Sequence, residues 1–281
     1  MDFQIKVLLL SFFITIAIAI CIIPILRRLK IGQTERDDGP QSHISKQGTP
    51  TMGGIIIMLS IVLAAVSGFF YYFRQEGEAE VAKNMLPILF ITFGFGLIGF
   101  IDDFKKLVLK NTEGLKPIYK MIGLLIISVI YTLYLEKIVG LGTDILIPIW
   151  NETITLPIWI YIPFAIFVIL ATTNAINLTD GIDGLAASVT AIIVTCLTVI
   201  AIVYDVKEMT IYGSIVIGSC IGFLLFNLHT AKVFMGDTGS LLLRRHYCSY
   251  GFILENSIIT FGNCNCSNCR NSFCYCPSRI F

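Results

Sequence analysis

Carboxylates stand where this chain passes from apolar to polar. Asp102 and Asp103 follow the apolar run 85–101 in GFIDDFKK (99–106). Asp180 and Asp183 stand in NAINLTDGIDGLA (174–186), and Asp237 lies between glycines in VFMGDTGS (233–240). A carboxylate beside hydrocarbon is costly unless it holds a cation or performs a task. Asn174, Asn177, Asp180 and Asp183 recur every three residues, which on a helical turn gives a roughly common polar face. That spacing is unlike an EF-hand loop, which needs oxygen ligands over twelve positions and a closing Glu. Lys46 and Lys120 supply positive charge with no paired acid nearby in sequence. Such groups on one face suit Mg²⁺ and a diphosphate. Magnesium takes one or two carboxylates plus substrate oxygens, and lysines bind phosphate as point charges. The chemistry is then phosphoryl transfer from a soluble donor to a membrane-borne acceptor.

Each motif also has a plainer use. Asp102 and Asp103 could mark a polar stop at the membrane surface, although Lys105 and Lys106 alone would serve that purpose. Their backbones are about 100° apart on a helix, so only one need face a given ligand. Thr179 or Asp180 could cap the following helix, which explains one of the four polar residues. GDTG could be a simple turn.

The elements that must hold these residues are membrane spans. Of 281 residues, 56% are hydrophobic and only 14% charged. Apolar runs of roughly 20 residues cross the hydrocarbon layer as helices, because backbone in lipid must satisfy its own hydrogen bonds. Seven such spans occur, at about 3–26, 51–73, 85–101, 117–136, 157–174, 185–204 and 210–228. The predicted fold class is an all-α, polytopic helical bundle. The first run lacks a small-residue cleavage site and ends in Arg27-Arg28, so it reads as a retained span. Odd-numbered loops carry 11 Lys and Arg, even-numbered loops four. The positive-inside bias puts the odd loops in the cytoplasm and the N-terminus outside. The three carboxylate motifs and SHISKQGTPTMGG (42–54) all fall in odd loops, so they face one compartment. Residues 140–156, with alternating apolar positions, read as an external hairpin or interfacial segment. No basic patch of the kind that binds nucleic acid is visible.

Taken together, DGPQSHISKQGTPTMGG, GFIDDFKK, NTEGLKPIYK, NAINLTDGIDGLA and VFMGDTGS closely resemble the phospho-N-acetylmuramoyl-pentapeptide transferases, polyprenyl-phosphate sugar-1-phosphate transferases. The resemblance runs from about residue 27 to 241. It implies transfer of phospho-MurNAc-pentapeptide from UDP-MurNAc-pentapeptide to undecaprenyl phosphate, with Mg²⁺, in a bacterial cell membrane. Carried over by position, Asp102 and Asp103 match the pair near the acceptor phosphate. Asn177, Asp180 and Asp183 match the nucleotide-sugar face. Asp237 matches the metal-binding aspartate, with Asn177 a second contact, and Lys46 and Lys120 match basic residues of the cleft. A homodimer is a further expectation. Two rival readings are a sister enzyme using UDP-GlcNAc and an ion-coupled transporter. The transporter would place its ionisable groups at mid-span rather than at span ends.

After Leu243 the character changes, dividing the chain into a transferase domain (1–243) and an anomalous tail (244–281). Six of nine cysteines lie in 248–276 and no long apolar run survives. A zinc cluster is one reading. Read one base forward, however, RRHYCSYG (244–251) can become GGIIAAM, and 254–281 can become an apolar span. The expectation is a one-base insertion or deletion near codons 240–244, which leaves the chain as written inactive or unable to fold.

Overall fold

Seven apolar stretches fold as seven α-helices in the computed structural model, which describes residues 2–28, 49–75, 79–107, 109, 114–139, 143–147, 152–175 and 183–243. They are α1 (Asp2–Arg28), α2 (Gly54–Arg74), α3 (Ala79–Leu107), α4 (Pro117–Tyr134), α5 (Ile158–Ala175), α6 (Leu185–Val203) and α7 (Lys207–Asn227). Each coincides with one predicted span, and the chain is a polytopic all-α bundle. Six are long and apolar enough to cross a membrane, and α5 supplies a shorter apolar stretch, Ile158–Ala171.

The ends differ from the sequence reading in ways that matter for the site. The predicted third span stops at residue 101, but α3 continues to Leu107 and carries Asp102, Asp103, Lys105 and Lys106 on its last turns. Lysines there favour continuation, because cations complement the C-terminal end of a helix dipole. Thr179 and Asp180, the cap candidates for the sixth helix, lie outside the described residues. That helix starts at Leu185, after Gly184 in a left-handed conformation. Residues 236–243 are not a simple turn but helical. Within 140–156, β1 (Asp144–Ile147) pairs antiparallel with β2 (Glu152–Thr155).

α7 is the central post and packs against α1, α2, α3 and α6. Its most apolar window is 78% buried, against 22% for α1. Lipid and a protein interior are equally apolar, so close approach and internal hydrogen bonds must hold such helices together. Gly218 and Gly222, four apart on α7, face Ser11, Phe12 and Thr15 on α1 so closely that a Cβ would meet backbone or side chain there. Ser60 Oγ of α2 donates to Ser219 Oγ at 3.0 Å, and Thr92 Oγ1 of α3 shares a 2.5 Å hydrogen bond with Tyr212 Oη. A second core joins α3, α4 and α5 around Phe95, Tyr131 and Tyr161.

Candidate active site at one end of the bundle

The segment before α2 and the segment after α7 lie side by side. Phe234 N donates to Pro50 O at 2.8 Å, Gly53 N to Phe234 O at 2.8 Å, and Gly54 N to Met235 O at 2.7 Å. This pairing fixes where the 236–243 helix begins, directly over the last turns of α3. Gly236 sits there at φ +73°, and a Cβ would stand 2.7 Å from Asp103 Oδ2, so a left-handed residue without a side chain is required. Gly99, one turn before Asp103, meets the Asp237 carbonyl with no room for a Cβ.

Asp102 and Asp103 turn to different neighbours. Asp103 accepts from Asp237 N (3.1 Å), Thr238 N (2.8 Å) and Thr238 Oγ1 (2.6 Å). Asp102 faces a cluster of charges. Its Oδ2 accepts from Lys106 Nζ at 2.9 Å and Lys120 Nζ at 3.1 Å. The same two ammonium groups reach Asp237 Oδ2 at 2.8 and 3.2 Å. Asp102 Oδ1 accepts from Leu115 N at 2.8 Å, which anchors the loop leading into α4. Pro117 opens α4, its missing N–H being one the first turn does not use. Lys120 is thereby held in that first turn, where the helix dipole disfavours a cation and the two carboxylates offset the cost. Burial alone would raise the Asp237 carboxyl. Its contact with Asp102 and the charges of Lys120 and Lys106 outweigh that and hold it well below the usual carboxylate range.

Asp183 stands in the turn before α6, 3.9 Å from His229 Nδ1, beyond hydrogen-bond distance. Gly184 N beside it donates to Asn227 Oδ1 at 3.1 Å, and Asn227 Nδ2 donates to Val233 O at 2.9 Å. Asn227 thus ties the 183–184 turn to the segment that leads to Asp237. Pieces of all four motif regions therefore share one end of the bundle. Lys46, Asn177 and Asp180 lie outside the described residues, as does the tail 244–281.

Lys106, Thr238 and Asn227 are site residues that the sequence reading passed over. Lys106 is four residues after Asp102 and so on the same helical face. That spacing was a usable signal. Among the described residues no group of three His, Cys, Asp or Glu side chains could hold a metal. The Oδ2 atoms of Asp102 and Asp237 nevertheless converge on shared cations, the two ammonium groups. Asp237 Oδ2, which gathers both ammonium groups, is placed to take a cation, and magnesium needs only one or two carboxylates beside substrate phosphates and water.

Residues 85–251 match the family described as Glycosyl transferase family 4, and residues 46–58 match phospho-N-acetylmuramoyl-pentapeptide-transferase signature 1. The chain is 44% identical over 240 residues to the phospho-N-acetylmuramoyl-pentapeptide-transferase of Acetivibrio thermocellus, covering 84% of this chain and 69% of that one. It is 45% identical over 252 residues to that of Halalkalibacterium halodurans (90% and 75%). Against the Bacillus subtilis protein of the same name, identity is 41% over 237 residues (84% and 70%).

Proposed function

The chain belongs to glycosyl transferase family 4 and, within it, to the phospho-N-acetylmuramoyl-pentapeptide-transferases, and from that premise we propose that it makes lipid I. The donor is UDP-MurNAc-pentapeptide, the acceptor undecaprenyl phosphate in the bacterial cell membrane, and the other product UMP. This is the first membrane step of peptidoglycan synthesis. The observation that carries the reading is the pair of carboxylates, Asp102 and Asp237, sharing the ammonium groups of Lys106 and Lys120 at one end of an apolar bundle. An acid–base cluster there lets a soluble nucleotide sugar meet a lipid phosphate without entering hydrocarbon.

An oxygen of the acceptor phosphate attacks the sugar-linked phosphorus. The bond from that phosphorus to the bridging oxygen breaks, and UMP leaves with that oxygen. Lys106 and Lys120 move from the carboxylates onto diphosphate oxygens, where they meet the charge that develops in the transfer. Asp237, with Asn177 as second contact, would hold Mg²⁺. When bound, the ion offsets the negative charge of the diphosphate. Asp102 stands beside the acceptor phosphate. Asn177, Asp180 and Asp183 serve the nucleotide-sugar face, and Lys46 adds positive charge to the cleft. The positive-inside bias supports a cytoplasmic site.

The frame-restored chain should be assayed in detergent with undecaprenyl phosphate and Mg²⁺, offering UDP-MurNAc-pentapeptide or UDP-GlcNAc. UMP release and a lipid product of the right mass with the first donor alone are expected. Product from UDP-GlcNAc alone would establish the sister activity and refute the lipid I reading. Transport without UMP release would refute a transferase altogether.

The tail belongs to the same proposal. Its composition supports a slipped frame, so resequencing codons 235–285 should reveal one base gained or lost. The chain as written is then expected to turn over far more slowly than the frame-restored chain. An intact frame would reopen the zinc reading.

A further inference from the structure

We infer that Asp103 is a positioning residue, which seats the start of the 236–243 helix and so aims the Asp237 carboxylate at Asp102, Lys106 and Lys120. The inference rests on the transferase reading and assigns different work to two adjacent aspartates. A helix leaves its first N–H groups without partners in the helix, and a carboxylate answers them well in both hydrogen bonding and dipole. Asp103 does so with both oxygens. Oδ1 takes Asp237 N, and Oδ2 takes the backbone N–H and the hydroxyl of Thr238. The residue is 4% exposed.

The surrounding shape agrees. One face of α3, Gly99 and Asp103, is the seat. Gly99 admits the Asp237 carbonyl, and Gly236 leaves room for Asp103 Oδ2. The neighbouring face, Asp102 and Lys106, bears the charges that meet Asp237 and Lys120. Successive helical positions differ by about 100°, so a single step along α3 separates the residue that orients from the residue that faces substrate. Asp237 receives its backbone position from Asp103 and its side-chain partners from Lys106 and Lys120. A misplacement of about 1 Å at a reacting group can slow a reaction about a hundredfold.

Asp103→Asn, Thr238→Val and the double variant test this in the full, frame-restored chain. Asp103→Asn keeps an oxygen for Asp237 N but presents an NH₂ to Thr238 N. Thr238→Val removes only the hydroxyl. Each is expected to lower turnover roughly tenfold with the wild-type pH profile retained, and the double variant to be no worse than Asp103→Asn. Melting temperatures without substrate should fall by about 2–4 °C for each single variant, and not additively. If Asp103 acts on substrate itself, Asp103→Asn abolishes turnover or reshapes its pH profile while Thr238→Val leaves it intact. That result, or additive losses in both readouts, overturns the inference. Should wild type release no UMP from either donor, the transferase reading falls by itself. The melting cycle then still decides the seat, non-additive shifts upholding it and additive shifts overturning it.

Discussion

Changing Lys106 to Gln takes away the ammonium that both reactive carboxylates hold most closely. Lys106 Nζ lies 2.9 Å from Asp102 and 2.8 Å from Asp237, against 3.1 and 3.2 Å for Lys120. Unit charges about 3 Å apart interact by roughly 6 kcal/mol at an effective dielectric near 20. Desolvation cancels part of that, and the Lys106 side chain is 37% exposed, so water screens more. Measured hydrogen bonds to charged groups are worth about 1.5–3 kcal/mol each. Two are lost and Lys120 replaces part of one, which leaves about 3 kcal/mol. Expressed in the transfer step, that is a fall of roughly 150-fold. Lys105→Gln is the matched control, with the same charge change one position along α3 and away from the cluster. It should stay within about twofold of wild type, in line with the small effects of partly exposed charges outside specific contacts. UMP release at saturating acceptor, with the donor varied, measures both variants. Melting temperature confirms that each is folded. Equal losses from Lys105→Gln and Lys106→Gln would mean that the field of the basic loop matters rather than the contacts, and the reasoning from geometry would fail.

Three further outcomes follow from the packing and the charges. Asn227→Leu leaves Gly184 N and Val233 O without their partners in a buried site. It should cost about 3 kcal/mol of stability, read as lower resistance to denaturant in detergent. Gly222→Val would bring a Cβ to 2.9 Å from Phe12 O and Thr15 Cβ on α1. Overpacking of this kind costs about 1–3 kcal/mol, so the melting temperature should drop while Ile221→Val, on the exposed side, leaves it unchanged. Asp237 has its folded carboxyl below the ordinary value of 3.8. Its ion pairs therefore stabilise fully above that value and lose their effect only as pH falls through the lower folded value. The stability gap between wild type and Asp237→Asn should be level from about pH 8 to 5 and narrow only in stronger acid, as denaturation midpoints would record.

The bundle was readable because an apolar run in lipid has almost one solution, and all seven runs became helices. The boundaries were harder. Asp102 looked like the residue after a span because charge was taken to end the helix, yet α3 carries it with Lys106 one turn further on. The spacing of Asp102 and Lys106 would have revealed their pairing, whereas Lys120 and Asp237 meet them only through the fold. Asp103 could not be told from Asp102 by residue type, since the distinction lies in which face of α3 receives the 236–243 helix. Asn227 carried no signal at all. It is a polar residue at the end of a span, and its partners are backbone groups of the 183–184 turn and of Val233.

The burial of α7 bears on how the molecule is made. Its four packing partners, α1, α2, α3 and α6, all precede it in the chain. During synthesis they are available before it, and they present a slot lined by Ser11, Thr15, Ser60 and Thr92. Until α7 arrives, those hydroxyls have no protein neighbour from that side and border lipid or the translocation machinery. A nascent chain halted before residue 207 would leave that seam open, its Ser11, Thr15 and Ser60 hydroxyls satisfied only by carbonyls of their own helices. Arrival of α7 closes the seam and, through Asn227 at its end, sets the ground on which the charged cluster assembles. Closing of the scaffold thus precedes completion of the reactive centre, which waits for Asp237 in the 236–243 helix that follows α7.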